Sequence, residues 1–314
     1  MPFARYAWGV LGVTLFVILW GALVRGTGSG AGCGAHWPLC NGEVLPPAPS
    51  TATLIEYTHR ASSGVAFLLV AGLYGWSRRV FPGGHRARRA AAWALGFIGA
   101  EALIGAGLVL LRLVGQDAST ERAGYLAFHL LNTFLLLGAL ALTAHWATHA
   151  PAWRRPGDGA TPWLLGSGLG LVLLLGMTGA VAALGDSLFP SDTLAAGFRA
   201  DASPTAHLLI RLRVLHPVLA LLGGAYLSAM VWRVGRLRPA SMAGPWGRTL
   251  TTLVLVQLVV GLTNLLLLAP MALQLIHLLV ADLLWIAAVL FSADALAAGG
   301  RKESLGLAEV ADSR

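Results

Sequence analysis

Charged residues are scarce in this sequence. Asp, Glu, Lys and Arg make up only 11% of its 314 residues, whereas 56% are hydrophobic. A soluble domain carries roughly 25% charged residues, so this chain has too few to cover a surface that faces water. The composition excludes a soluble globular enzyme.

Common catalytic and nucleotide-binding motifs are also missing. The glycines of RGTGSGAG at 25–32 do not open a helix after a strand, so they form no phosphate-binding or dinucleotide-binding loop. No Ser/His/Asp arrangement appears either. The net charge of +8 does not indicate a nucleic-acid partner, because the basic residues lie in short clusters between long apolar runs.

Long apolar stretches are the main feature that is present. A membrane-crossing helix needs roughly 20 apolar residues, and eight stretches meet this length. They run approximately over 5–24, 55–77, 90–111, 123–146, 162–184, 206–232, 249–268 and 271–296. The first stretch is too long for a cleavable signal peptide, and no small-residue cleavage site follows it. The sequence therefore predicts an all-α membrane protein with eight transmembrane helices.

The basic residues predict the orientation of these helices. If the N-terminus is cytoplasmic, 15 of the 22 Lys and Arg residues fall on the cytoplasmic side and 7 on the other side. Short cytoplasmic loops carry an excess of Lys and Arg. We therefore expect a multi-pass protein of the cell membrane with both termini in the cytoplasm. The loop 25–54 is then external, and the polar tail 299–314 is cytoplasmic.

Both cysteines lie in that external loop, in the run GCGAHWPLCNGEVLPP. Cysteines that face an oxidising compartment tend to pair, so Cys33 and Cys40 are predicted to form a disulfide. Two roles remain open, a structural staple and a redox-active pair beside an active site. The sequence favours the staple.

Four of the nine histidines lie in the outer halves of even-numbered predicted helices. They are His59, His129, His216 and His277. His59 and His216 are 157 residues apart, and His129 and His277 are 148 residues apart. This spacing predicts an internal repeat of two tandem four-helix halves, 1–150 and 151–298.

Paired imidazoles in a membrane bundle indicate a cofactor. Two neutral imidazoles on facing helices can ligate a haem iron from both sides, and ionisable residues inside a membrane usually mark function. A single membrane histidine is equally explained by an interhelical hydrogen bond, but four at one depth favour two haem pockets. Zinc is less favoured, because no Cys or carboxylate completes a four-ligand site around either pair.

One carboxylate lies beside the first histidine pair. Glu56 precedes His59 by three residues, which places both on one helical face. There it could take a proton from a molecule bound at the haem edge. The alternative is an i,i+4 ion pair with Arg60. Arg213 takes the corresponding place before His216, so the two halves differ chemically.

Other polar side chains have simpler expected roles. Glu101, Gln257 and Asn264 are predicted to form interhelical hydrogen bonds, and His145 is expected to be solvated or interfacial. Five arginines near the outer helix ends are candidates to pair with haem propionates, since arginine binds carboxylates through a bidentate fork. They are Arg25, Arg112, Arg122, Arg211 and Arg213.

Several motifs together resemble the haem A synthase family. These are RGTGSGAGC with HWPLCNG at 25–42, EYTHR at 56–60, HLLN at 129–132, LHP at 215–217 and APMALQLIHLLVADLLW at 269–285. The resemblance covers nearly the whole chain. EYTHR with WPLCNG is its most specific part.

The resemblance implies an eight-helix membrane oxidoreductase built from two four-helix halves. Such enzymes oxidise a ring methyl of haem O to a formyl group through hydroxylated intermediates, which gives haem A for the terminal oxidase. His59 and His129 would ligate the iron of the substrate haem O, and His216 and His277 the iron of a haem b cofactor. Glu56 would act in proton removal.

The family also carries an external disulfide that Cys33 and Cys40 match and for which a redox role is suspected. Some members have a second cysteine pair in the loop between helices 5 and 6, but the loop 185–205 has no cysteine here. Any electron route that needs two disulfides is therefore in doubt for this chain.

The resemblance implies partners as well. Haem O synthase and assembly factors of the terminal oxidase are expected beside the haem O substrate and membrane lipid; a homo-oligomer is compatible with the sequence. The principal rival function is a di-haem transmembrane cytochrome b that only transfers electrons. That function would explain the four histidines equally well and would give Glu56 no special task.

Overall fold

The computed structural model describes residues 2–149, 159–237 and 244–297, so the predicted polar tail 299–314 lies outside the described residues. Within these ranges the chain is almost entirely helical and forms no strand beyond an isolated bridge between Cys40 and Glu43. The helices are α1 (Pro2–Gly26), α2 (Thr51–Val80), α3 (Arg86–Leu110), α4 (Thr120–Trp146), α5 (Thr161–Leu188), α6 (Leu194–Ala202), α7 (Leu208–Arg213), α8 (Leu215–Leu237), α9 (Gly244–Leu266) and α10 (Met271–Ala297). We refer to α1–α4 as the first half and to α5–α10 as the second half.

Seven helical stretches of the described chain are long and apolar enough to cross a membrane. They are α1, α3, α4, α5, α7 with α8, α9 and α10. Helix α2 has 30 residues but is not among them, because polar residues such as Glu56, His59 and Arg60 lower its mean hydropathy. The protein is therefore an all-α, multi-pass membrane protein, with seven of the eight predicted spans supported by length and composition.

Polar caps and prolines set the helix boundaries. The hydroxyls of Ser50 and Ser119 accept hydrogen bonds from Thr53 N and Arg122 N, each at 3.2 Å, and so begin α2 and α4. Pro270 directly precedes α10, and its fixed φ suits a helix start.

The sixth predicted span, 206–232, is not one continuous helix. Helix α7 ends at Arg213 and α8 begins at Leu215. Pro217 explains the break, because it has no N–H to donate to the carbonyl of Arg213. A second difference lies in the loop expected over 185–205, where the Thr193 side chain caps the short helix α6.

Helices α4 and α10 form the centre of the bundle. They are the most buried of the candidate spans and pack against each other, and both also contact α1 and α5. Trp285 of α10 stacks on Phe134 of α4 with ring centroids 5.6 Å apart and donates its indole N–H to Phe134 O. Gly138 makes room for the indole, since a Cβ there would lie 3.3 Å from Trp285 Nε1. His129 and His277 therefore lie on the two central helices.

A buried polar pair joins α4 and α10 near their C-terminal ends. His145 is only 8% exposed, and its Nε2 lies 2.8 Å from Oδ1 of Asp294, which is equally buried. Trp246 of α9 meets the imidazole edge-on with centroids 6.4 Å apart. The prediction of a solvated His145 is therefore wrong. The sequence position near a helix end did not reveal that a carboxylate on another helix satisfies the ring.

Replacing Asp294 with Ala should destabilise the bundle by about 1–3 kcal/mol, because His145 would stay buried without its partner. The apparent Tm of the purified protein in detergent measures this effect. Ser292→Ala is the matched control, since the buried Ser292 hydroxyl donates within α10, to Ala288 O at 2.7 Å. Equal Tm values for the two variants would show that the pair does not hold α4 to α10.

Candidate functional site

A continuous cavity of about 1470 Å³ reaches both histidine pairs. Residues from both halves line it, and most of the lining is apolar. A single small-molecule site has roughly 300–1,000 Å³, so this cavity has room for more than one such ligand. Its polar lining includes His59, His129, His216, His277 and Glu56. The structure thus brings together the four predicted histidines and the predicted carboxylate.

Glycines on neighbouring helices make room for three of the four imidazoles. A Cβ at each of these glycines would lie 2.9–3.1 Å from the Cε1 atom of the facing ring, which is closer than side chains normally approach. The pairs are Gly21 with His59, Gly179 with His216, and Gly261 with His277. Any larger residue at these glycines would displace the ring.

His216 and His277 approach each other in the second half. Their ring centroids are 6.3 Å apart and their planes are inclined by 89°. An imidazole nitrogen lies roughly 2 Å from the metal that it ligates, so rings at this separation fit the two sides of one iron. Thr178 Oγ1 lies 3.2 Å from His216 Nδ1, and Gln257 Nε2 lies 3.2 Å from His277 Nε2.

His59 and His129 line the cavity in the first half. Glu101 of α3 forms an ion pair with His129 Nδ1. Thr133 of α4 donates its hydroxyl to Glu101 Oε1 at 2.7 Å. His59 Nδ1 is buried and has no hydrogen-bond partner among the described residues. The first pair therefore has a carboxylate beside it, where the second has the amide of Gln257.

Glu56 connects the cavity wall to the cysteine loop. Cys33 and Cys40 form a disulfide, as predicted. The backbone N–H of Cys33 donates to Glu56 Oε2 at 2.7 Å, and the Glu56 side chain is only 4% exposed. The disulfide loop and the carboxylate are thus in direct contact.

Arg60 makes a second connection from the next turn of α2. It pairs with Glu56 Oε1, so the i,i+4 ion pair is confirmed. Its Nη1 also donates to His36 O at 2.5 Å and to Leu39 O at 2.6 Å. We call Glu56 and Arg60 the loop clamp, because together they hold residues 33–40 against α2.

Arg213 attaches a loop in the second half, as Glu56 does in the first half, but its side chain carries the opposite charge. Its Nε donates to Asp201 Oδ1 of α6 at 2.6 Å, and its Nη1 donates to Phe189 O at 3.2 Å and lies 3.5 Å from Asp186 Oδ1. Arg213 therefore anchors the segment before α7. The position three residues before the histidine serves loop attachment in both halves.

Arg25 joins the two halves. It belongs to α1, yet its Nη1 donates to Ala183 O and Ser187 Oγ of α5, both at 2.7 Å. Its Nη2 donates to Gln274 Oε1 of α10 at 3.0 Å. These contacts occupy much of the guanidinium fork that a propionate would need.

Three of the five candidate propionate-binding arginines line the cavity. They are Arg25, Arg122 and Arg213. Arg122 donates from Nη1 to Gly115 O and Asp117 O, and its buried Nε has no partner among the described residues. Arg112 and Arg211 do not belong to the described lining of this cavity.

The donor set fits paired ligation better than a bare metal ion. Within the described chain, no group of three or more His, Cys, Asp or Glu side chains could hold a metal. A haem needs only two protein ligands, because the porphyrin supplies the other four. The paired histidines, the apolar cavity and the facing glycines together fit haem.

The sequence predicted interhelical bonds for two polar side chains but did not predict that their partners are cavity histidines. Glu101 and Gln257 do bond across helices, as predicted, but their partners are His129 and His277. A signal was present, since Glu101 and Gln257 are 156 residues apart, nearly the spacing of the first histidines of the two halves. For Asn264 the predicted bond is not seen at Oδ1, which is buried without a partner in the described part of the chain.

Comparisons with known proteins identify the family of this chain. The chain matches the family model described as cytochrome oxidase assembly protein over residues 4–289. It is 48% identical over 303 residues to a protohaem IX farnesyltransferase of Thermus thermophilus, and the match covers 96% of the chain and 50% of that protein. It is 39% identical over 128 residues to a haem A synthase of Alkalihalophilus pseudofirmus, which covers 41% of the chain and 40% of that protein.

A haem A synthase of Bacillus cereus is 45% identical over 96 residues, which covers 31% of each chain. The chain spans about half the length of the Thermus relatives that it matches. The family match nevertheless includes both cysteines, Glu56 and all four cavity histidines. The protein belongs to the COX15-CtaA family of cytochrome oxidase assembly proteins.

Proposed function

We propose that the protein is a haem A synthase, a membrane oxidoreductase that converts a ring methyl of haem O to a formyl group for terminal oxidase assembly. One observation carries the proposal: a single cavity holds a carboxylate and one histidine pair in one half, and a second histidine pair in the other. Relatives named haem A synthase support it.

The two histidine pairs have different tasks in this proposal. His59 and His129 bind the iron of the substrate haem O, next to Glu56. His216 and His277 hold a resident haem b, which supplies one-electron redox chemistry when bound. The separation and inclination of the second pair of rings support this assignment.

The proposed architecture is eight transmembrane helices in two tandem four-helix halves, 1–150 and 151–298, with α2 as the remaining span. The matched spacings of the histidines and of Glu101 with Gln257 support it. The loop attachments of Glu56 and Arg213 support it as well. The distribution of Lys and Arg supports an orientation with both termini in the cytoplasm and the disulfide loop outside.

Glu56 is the proposed proton acceptor. With water as the oxygen donor, conversion of the methyl to the formyl group consumes one water and releases four electrons and four protons, so the site needs an outlet for protons and an external electron acceptor. Glu56 lies in the cavity wall, and both its oxygens already accept hydrogen bonds, from Cys33 N and Arg60. These donors fix the orientation of the carboxylate that is proposed to accept the proton.

The proposed partners follow from the substrate. A Thermus relative carries the name protohaem IX farnesyltransferase, and this chain matches half of that protein. A farnesylated haem is the class of substrate proposed here. We therefore place a haem O synthase and assembly factors of the terminal oxidase beside this protein in the membrane.

A di-haem electron-transfer cytochrome b is the second candidate. The loop clamp favours it, because holding residues 33–40 would by itself account for the buried Glu56. The cytochrome would contain haem but would not produce haem A. Chromatography of the extracted haems separates the two functions.

Glu56→Gln should reduce haem A formation by roughly 100-fold or more, since general acid–base groups contribute about 10²–10⁴. The amide oxygen can still accept from Cys33 N, whereas the ion pair with Arg60 is lost together with proton acceptance. The protein is co-expressed with a haem O synthase, and extracted haems are separated by reverse-phase chromatography. Haem b should stay bound.

The matched control is Glu121→Gln, which neutralises an exposed glutamate at the start of α4. Full haem A yield from Glu56→Gln would remove Glu56 from the chemistry. Haem O and haem b alone from the unaltered protein would favour the cytochrome instead.

His216→Ala and His277→Ala should each lower the haem b bound per protein by roughly tenfold or more, because even groups that only support a metal ligand contribute 10–100-fold to affinity. Pyridine haemochrome spectra of the purified variants measure this content. His149→Ala, at an exposed histidine, is the control. Normal haem b in both site variants would contradict the assignment of the second pair.

Arg60→Ala should open the loop clamp and expose the disulfide. Loss of charge-assisted hydrogen bonds worth about 1.5–3 kcal/mol should speed reduction of Cys33–Cys40 by roughly tenfold or more. A membrane-impermeant reductant followed by maleimide labelling measures the rate. Arg112→Ala, at an exposed arginine, is the control. Equal labelling rates would show that the clamp does not shield the loop.

A further inference from the structure

Glu101 is a carboxylate of the first half that neither the loop clamp nor the proposed proton removal uses. It lies on α3, lines the cavity and is 15% exposed at its side chain. Its Oε2 pairs with His129 Nδ1, and its Oε1 accepts from Thr133. Holding an ionised group inside an apolar bundle is costly, so these contacts need an explanation.

Thr133 ties the carboxylate to the helix that carries the ligand. Its hydroxyl lies 2.7 Å from Glu101 Oε1 and 2.9 Å from the carbonyl of His129 one turn earlier. Oε2 of Glu101 thus contacts the imidazole of His129, and Oε1 contacts Thr133 on the same helix, α4. The carboxylate is fixed relative to the imidazole at two points.

The second half has a neutral group beside the corresponding histidine, but at the other ring nitrogen. Gln257 of α9 lies next to His277, with Nε2 atoms 3.2 Å apart. An amide can orient a ring but carries no charge. The two histidines on the central helices therefore differ in the charge of the side chain beside them.

We propose that Glu101 is a positioning residue that fixes His129 and makes the first iron site harder to reduce than the second, an inference that rests on the proposed haem A synthase function. A carboxylate at Nδ1 sets the tautomer, leaves Nε2 toward the ligand and makes the imidazole a stronger donor. A stronger donor and a nearby negative charge both stabilise ferric iron. The electron is then held more firmly at the site of His216 and His277.

This difference suits an oxidation that begins in the first half. A substrate that must lose electrons is best bound where the ferric state is favoured. The neutral Gln257 gives the second site no matching bias. The charge difference between Glu101 and Gln257 thus gives the two sites unequal potentials.

The test measures the midpoint potential of one site at a time. Ferric protohaem is loaded into a His216→Ala protein, which keeps the first pair, and redox titration is followed optically with electron paramagnetic resonance of the ferric form. Adding Glu101→Gln should raise the potential by the equivalent of a tenfold change in ferric preference, about 59 mV for one electron. Glu101→Asp should restore most of it.

The reciprocal change is the matched control. Gln257→Glu in a His59→Ala protein should lower the potential of the second site, while Glu101→Gln in that protein should leave it unchanged. Unaltered potential and g-values in the first site after Glu101→Gln would overturn the proposal. If Glu101→Gln does not fold, the midpoint potentials of Thr133→Val in the first site and Gln257→Glu in the second site are measured instead. Unshifted potentials in both variants would overturn the proposal.

Haem A formation by the unaltered chain, measured beside these potentials, separates this inference from the proposed function. A potential shift with Glu101→Gln in a chain that makes no haem A supports Glu101 as a tuning residue and contradicts the synthase. Haem A formation by the unaltered chain, with no potential shift after Glu101→Gln, supports the synthase and contradicts the role of Glu101. Each result therefore bears on only one of the two proposals.

Discussion

An imidazole buried in an apolar bundle must be ligated or hydrogen-bonded, because an unsatisfied polar group costs roughly 1–3 kcal/mol. His145 meets this constraint with the carboxylate of Asp294. His129 meets it with Glu101, but on one nitrogen only. His59 and His277 each keep a buried Nδ1 without a partner in the described chain. Since these rings also line a large cavity, a group bound there accounts for them better than structural hydrogen bonding does.

Helices α4 and α10 each carry one cavity histidine at the centre of the bundle. A ring that enters the cavity needs space on the neighbouring helix. Glycines supply this tolerance around three of the four cavity histidines, for example Gly261 of α9 beside His277. Arg25 crosses from α1 to α5 and α10, so the halves are joined by hydrogen bonds as well as by the Trp285 stack on Phe134. A site shared by two halves requires such connections to keep its geometry.

Hydrophobicity and spacing sufficed to predict most of the long helices, and the four histidines and Glu56 that line the cavity. Local pattern could not predict contacts between distant helices: Asp294 is 149 residues from His145, and only folding brings them together. The break before α8 was visible in Pro217 but was outweighed by the apolar run around it. Only one part of the loop clamp could be predicted from the sequence. Glu56 and Arg60 are four residues apart, so their ion pair follows from helix spacing, whereas the bond from Cys33 spans 23 residues. Sequence therefore located the site but not the hydrogen bonds that hold it.

The charge difference between the halves bears on which function the bundle serves. At two corresponding positions the first half has a carboxylate where the second has Arg213 or Gln257. Attachment of the disulfide loop accounts for Glu56 without any chemistry. It does not account for Glu101, which contacts His129 and Thr133 and attaches no loop in the described chain. A bundle that only passed electrons between two similar haems would gain little from a buried carboxylate on one side, and its desolvation is costly. Glu101 therefore favours two unequal sites over two equivalent ones.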